Sequence, residues 1–383
     1  MNRFLQAFWK WSPLQRTEWG LLAAIVAVVT LTIFLDKNQV YWNNSETAAR
    51  EVLRQSAMLG IFALGSAVII ISGGIDLSCG SVIAFSGSFC AVAMLVLAPE
   101  AMINDEPVGP AVVAAAIGLT LLAGFLIGSM HAFLITQVGL PPFVATLASL
   151  VGLRSVGRIL VKNVTGAYYN GNGSTQINIF DDSFRELGKN VWIPAGVFCV
   201  MALAIWVLLS RTVVGRHLYA MGGNEKAAEL SGIRTNRLKW MAYCIGAMLS
   251  SLAGIMYVAD QSVADPQTLG RGYELNAIAA AVVGGCSLQG GVGTVPGTVF
   301  GVVFLRVAID SVAKVIKADA TAYEGLIVGM LVVLAVAFNE LQQRDSKLRR
   351  YFAPRTRTSI FQAVGPLRMI FWGAVLVAVR LSH

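Results

Sequence analysis

Hydrophobic residues in this chain form long runs, not the alternation of a half-buried strand or the spaced stripe of a surface helix. The runs are Trp19 to Leu35, Gln55 to Ile75, Gly80 to Ala98, Pro110 to Ile135, Pro141 to Val161, Trp192 to Ser210, Trp240 to Ala259, Asn276 to Cys286, Thr294 to Ala313 and Thr321 to Phe338. A bilayer core about 30 Å thick takes about 20 apolar residues per helical crossing. The pattern therefore predicts an all-α, polytopic integral membrane protein with about ten transmembrane helices. Asn276 to Cys286 is about half a crossing and reads as the inner part of a broken helix or a re-entrant half-helix. Met369 to Val379 is too short to cross untilted and reads as an interfacial or packed segment.

Composition closes off other classes. Of 383 residues, 56% are hydrophobic and 13% charged, where a soluble domain carries about 25% charged residues. The net charge of +8 comes from basic residues beside the apolar runs. They lack the basic patch with interleaved aromatics that nucleic acid requires, so membrane lipid is the expected partner and nucleic acid is not. The five cysteines lie far apart with no C-x-x-C spacing, and the three histidines form no metal-ligand motif, so neither a disulfide framework nor a metal site is expected. Segments 1–18, 211–239 and 341–368 carry three, six and seven Lys/Arg. Ten crossings put all three on one side, which the positive-inside rule makes cytoplasmic, with both termini. The expected division is a cytoplasmic segment 1–18, a transmembrane unit 19–340 with a loop at 211–239, and a basic cytoplasmic tail 341–383.

Candidate chemistry gathers at glycine-rich breaks between runs. Gly73-Gly74-Ile75-Asp76-Leu77-Ser78-Cys79-Gly80 and Gly284-Gly285-Cys286-Ser287-Leu288-Gln289-Gly290-Gly291 both read G-G-x-[DS]-L-x-x-G. Paired glycine-interrupted segments point to the working site of a transporter. Asp76, an acid at a helix break, reads either as a cap for the run starting at Gly80 or as part of a substrate path with Ser78, Glu274, Asn276 and Ser287. Arg154 and Arg158 read as snorkelling cations, and Arg306 with Asp310 as an i,i+4 pair. The segment 213–239 is helix-prone from Asn224 to Leu230 with Gly232 as its stop, which makes a docking knob for a soluble partner.

These blocks carry a resemblance. G-G-I-D-L-S-C-G-S (73–81), G-R-H-L-Y-A-M-G-G-N-E-K-A-A-E-L-S-G-I (215–233), G-Y-E-L-N-A-I-A-A (272–280) and G-G-C-S-L-Q-G-G-V-G-T-V-P-G-T (284–298) resemble the permease subunits of ABC sugar importers of the ribose/galactose/xylose branch. The resemblance covers about residues 50 to 342. It implies the ABC importer permease fold and a second permease copy in a homodimer or heterodimer. It also implies a cytoplasmic ABC ATPase subunit and a periplasmic sugar-binding protein, all in the inner membrane system of a bacterium. The ATPase-coupling element then falls on Gly222, Gly223, Asn224, Ala227, Ala228, Ser231 and Gly232. The chain itself would bind no cofactor, ATP and Mg residing on the partner. Lys226, Cys79, Asn276 and the pair Ile309-Asp310 depart from the family's usual Glu, Val, Asp and two Asn. The rival reading is an ion-coupled secondary transporter or channel. A third, an intramembrane hydrolase, needs Ser and His to converge from different spans, because Ser129 and His131 point to different faces of one helix.

Overall fold

The computed structural model describes residues 16–36, 40–169, 171, 173–316, 325–331, 333, 334 and 337. Most of segment 1–18, nearly half of the expected span Thr321 to Phe338, and the whole tail 341–383 with Met369 to Val379 lie outside the described residues.

The helices are α1 (Arg16–Leu35), α2 (Val40–Asn43), α3 (Ser45–Ile71), α4 (Cys79–Leu97), α5 (Pro99–Ile103), α6 (Pro110–Thr136), α7 (Pro142–Tyr168), α8 (Asp182–Lys189), α9 (Trp192–Arg211), α10 (Val213–Gly223), α11 (Glu225–Leu230), α12 (Thr235–Gln261), α13 (Tyr273–Val283) and α14 (Val295–Ile316). Two short strands, β1 (Ile177–Asn178) and β2 (Val263–Ala264), pair antiparallel. Among the described residues, eight helices are long and apolar enough to cross a membrane. The chain is a multi-pass, all-α membrane protein. The end of the bundle that carries α10 and α11 is called basal here, and the end with β1, β2 and α8 apical.

α12 forms the centre, packed against α3, α4 and α6. In lipid no hydrophobic force drives helices together, so close backbone approach at small residues does. Gly65 faces Gly246 between α3 and α12, Gly128 lies against Cys244 between α6 and α12, and Gly254 lies against the Ile83 carbonyl between α12 and α4. Ser86 and Ser251 hydrogen-bond across α4 and α12 at 2.8 Å. Outward faces of α6, α7 and α9 expose Leu126, Val151, Ile159 and Leu203, as a lipid-facing surface requires.

Several boundaries depart from the hydropathy reading. α3 begins at Ser45, ten residues before Gln55, because its polar first turns are helix formers tied by Arg50 to Glu46 and by Arg54 to Glu51 and Asp260. The expected short span corresponds to α13, which starts three residues before Asn276 and stops at Val283. Residues 284–286 form its helix stop, not its last turn. Thr294 opens α14: its hydroxyl accepts from the Gly297 amide at 3.0 Å and donates to buried Glu18 at 2.9 Å, fixing the start of α1 at the basal end. Asp310 takes Lys314 and the Tyr41 hydroxyl, and Arg306 donates to Gln55 at 3.0 Å, so this face is tied to α2 and α3 as well as along α14.

Replacing Gly254 by Leu places its Cβ about 2.5 Å from the Ile83 carbonyl. Such overpacking costs about 1–3 kcal/mol and will lower the thermal unfolding midpoint of the solubilised chain. Gly118→Ala, where the added methyl meets nothing within 4 Å, serves as the unshifted control.

Candidate functional site

The two glycine-rich repeats are one device used twice. α3 ends with the Gly73 amide donating to the Ile70 carbonyl and the Gly74 amide to Ile69; α13 ends with Gly285 donating to Val282 and Cys286 to Ala281. Each is a Schellman-type stop with a glycine in the left-handed region, Gly73 at φ 86° and Gly285 at φ 97°. Structural equivalence therefore pairs Gly73 with Gly285, one residue out of register with the sequence alignment.

Both glycine-rich segments meet α10, the helix that leads into the rest of the 211–239 loop. The Gly291 amide donates to the Ile71 carbonyl at 2.9 Å, and Gly222 of α10 lies against both groups. A Cβ at Gly222 would fall 1.9 Å from the Ile71 oxygen and 2.6 Å from the Gly291 nitrogen; one at Gly290 would fall 2.8 Å from Gly73 Cα. The Tyr219 hydroxyl donates to the Gly293 carbonyl at 2.8 Å. Burial, and then the neighbouring Cys286 thiol, push this phenol above its ordinary range, so it stays protonated as a donor.

Beyond Gly223, which is exposed, Asn224 caps α11: its Oδ1 accepts from the Ala227 amide at 3.0 Å. Gly232, at φ 83°, ends it with the same stop, and the Ile233 amide donates to the Ala228 carbonyl. The Ser231 hydroxyl donates to the Ala227 carbonyl at 2.8 Å. Ala228 packs inward, while Lys226, Ala227, Glu229, Ser231 and Leu230 face outward, Leu230 at 85% exposure. Leu230 was missed in the sequence reading, although an apolar residue in the short polar run E-K-A-A-E-L carries the signal.

A second cluster lies where α4 begins. Asp76 is 5% exposed; its Oδ1 accepts from the Ser78 amide at 2.7 Å and the Ser78 hydroxyl at 2.6 Å. This is an Asx turn leading into α4, and Ser78, not Asp76, is the N-cap residue. Glu274, in the first turn of α13, is brought here as well: a Cβ at Gly80 would fall 2.3 Å from Glu274 Oε2 and 2.4 Å from the Gly270 carbonyl. Glu274 Oε2 is buried without a hydrogen-bond partner. Asn276, two residues further along α13, is buried, while Leu275 between them is exposed. Ser287 lies buried in the second loop, where its amide donates to the Val292 carbonyl at 3.0 Å and its hydroxyl accepts from the Gln289 amide at 3.3 Å.

Gly270 reaches α4 because the chain after β2 turns back into the bundle. Such irregular backbone is tolerated at depth only where its carbonyls find partners. Arg154, half-way along α7, supplies them, donating to the carbonyls of Pro266, Gln267, Leu269 and Gly270 at 2.9–3.2 Å. It does not snorkel; Arg158 is the exposed one. Ser and His also converge from different spans, as His131 Nε2 and Ser149 Oγ at 2.8 Å. Among the described residues no cluster of His, Cys, Asp and Glu fits a metal ion.

A family model described as the branched-chain amino acid transport system / permease component matches residues 48–336. The ribose import permease protein RbsC of Escherichia coli is 33% identical over 336 residues, 87% of this chain and 95% of that protein. RbsC of Bacillus subtilis is 34% identical over 289 residues, 74% of this chain and 82% of that protein. The galactose/methyl galactoside import permease protein MglC of Escherichia coli is 29% identical over 343 residues, covering 86% and 96%. No solved structure matches. With the family model matched over residues 48–336 and relatives matched along most of their length, the chain belongs to the branched-chain amino acid transport system / permease component family, among the sugar permeases of ABC transporters.

Proposed function

We propose that this chain is the membrane-spanning subunit of an ATP-driven importer that carries a monosaccharide of the ribose, galactose or xylose kind across the inner membrane. The observation that supports the reading most is the junction at Gly222. One exposed helical knob, α11, is joined through α10 to the stop of α3 and to the glycine loop that follows α13, so a soluble partner pressing on it moves both halves of the path together. A cytoplasmic ATPase subunit docks on Leu230, Lys226 and Ala227 and takes its leverage from Ala228 and Gly232. ATP and Mg bind on that partner, and this chain binds no cofactor of its own. The basal end is then cytoplasmic, both termini lie on that side, and the apical end receives a periplasmic sugar-binding protein. Two permease copies, identical or sibling, enclose one path. Asp76, Ser78, Glu274 and Asn276 line it, with Ser287 near its basal rim; the unpartnered Glu274 Oε2 is an acceptor for a sugar hydroxyl.

Purification of the tagged chain from native membranes in mild detergent yields a stoichiometric ATPase subunit, and Leu230→Asp or Ala228→Glu removes it. Recovery of the chain alone, from membranes where its neighbours are expressed, would replace this reading with an ion-coupled carrier.

Gly222→Ala leaves the chain in the membrane but abolishes ATP-dependent sugar uptake, because the methyl has no room against the Ile71 carbonyl. Gly196→Ala, on the open face of α9, keeps uptake unchanged. Glu274→Gln raises the KM for the sugar by about tenfold, the worth of a hydrogen bond to a charged acceptor, with the amount of assembled complex unaltered.

A further inference from the structure

One buried polar group belongs to neither the coupling junction nor the cluster at α4. His131, on α6, is wholly shielded, its Nε2 meets Ser149 Oγ at 2.8 Å, and its Nδ1 has no partner. An imidazole that leaves half of its hydrogen-bonding capacity unused in an apolar interior is an unfavourable way to fill space, since each such orphan in a native structure costs stability.

What His131 touches shows what it holds. The Ser149 carbonyl accepts from the Ser81 hydroxyl at 3.1 Å, which also reaches the Ser78 carbonyl at 2.7 Å. One turn earlier on α7, Thr146 Oγ1 accepts from the Leu77 amide at 3.2 Å. On the other side the His131 ring meets Tyr243 of α12 edge-on, with centroids 6.4 Å apart. The Tyr243 hydroxyl reaches the Ile75 carbonyl at 3.5 Å and lies 2.7 Å from where a Cβ at Gly74 would be. So α7 and α12 grip residues 74–81 from two sides, and His131 stands between the grips, touching both. The same segment begins at Gly73, against Gly222, and contains Asp76 and Ser78.

We propose that His131 is a positioning residue for the transport step: through Ser149 and Tyr243 it holds residues 74–81 in the register that carries motion of α10 to Asp76 and Ser78. This rests on the importer reading above. The contact that matters is made at Nε2, which the side-chain amide of glutamine reaches and that of asparagine does not.

The test uses the permease assembled with its ATPase subunit in proteoliposomes, measuring sugar uptake per ATP hydrolysed. In parallel, hydrogen exchange of the peptide spanning residues 73–81 is followed in the solubilised permease. His131→Gln keeps both readouts at the wild-type level. His131→Asn and Ser149→Ala lower uptake per ATP by about fivefold or more, the lower end of ordinary coupling between sites. They raise exchange of the segment by about tenfold, with assembly and ATP hydrolysis retained. A Ser149→Ala variant equal to wild type in both readouts overturns the proposal, as does a glutamine variant indistinguishable from the asparagine one; because Ser149→Ala removes only a hydroxyl, it decides the matter even where an His131 variant fails to assemble. A wild-type complex that takes up no sugar sinks the importer reading instead, and the exchange arm still decides whether His131 holds the segment.

Discussion

Every helix that breaks inside a membrane exposes carbonyls that lipid cannot solvate, and among the described residues this protein breaks three times where it must satisfy them. α3 stops at Ile71, α13 stops at Val283, and the chain after β2 dips into the bundle to reach Gly270. Each break has its closing donors: the Gly291 amide, from the loop after α13, for Ile71; the glycine stops of α3 and α13 for their own last carbonyls; and Arg154 of α7 for residues 266–270. The requirement to satisfy backbone therefore ties α3 to the loop after α13, and α7 to the chain that dips before α13. Side chains could not mediate the tie at the Ile71 carbonyl, because Gly222 fills the remaining space with its bare Cα.

Much of this was legible in the sequence, for identifiable reasons. Crossing segments announce themselves because lipid demands unbroken apolar runs, and the paired glycine segments did mark the breaks. α11 was readable from Asn224 and Gly232, a cap and a stop whose backbone roles only a few residues fill. Hydropathy could not see the polar first turns of α3, since a helix continuing beyond the bilayer carries no apolar signal. α8 was missed although Asp181 caps it, accepting from the Phe184 amide at 2.7 Å, and Phe184 buries one face; the cap pattern was there to be used.

The site was less legible than the fold, because its contacts are long-range. That Glu274 approaches Gly80, that Arg154 serves four carbonyls, and that His131 finds Ser149 all depend on how the spans are arranged. A lone cation in a span reads equally well as snorkelling or as a clamp. Only the position of residues 266–270 decides, and nothing in a linear pattern reports a loop that turns back.

On the reading proposed above, the arrangement also lets one docking helix act on a path it does not touch. Backbone packed on backbone has no rotamers to absorb a displacement, and close-packed interiors transmit strain. A shift of α10 at Gly222 is felt at Gly73 and Gly291 alike. It passes on one side to the Asx turn of Asp76 and the start of α4, and on the other to the stop of α13, whose first turn carries Glu274. The two carboxylates thus stand on elements driven from a single point, while Arg154 holds the dipping chain between them to α7. On the importer reading proposed above, a path walled by two elements driven from one point and by a third tied to α7 is built to exchange access from one side of a membrane to the other.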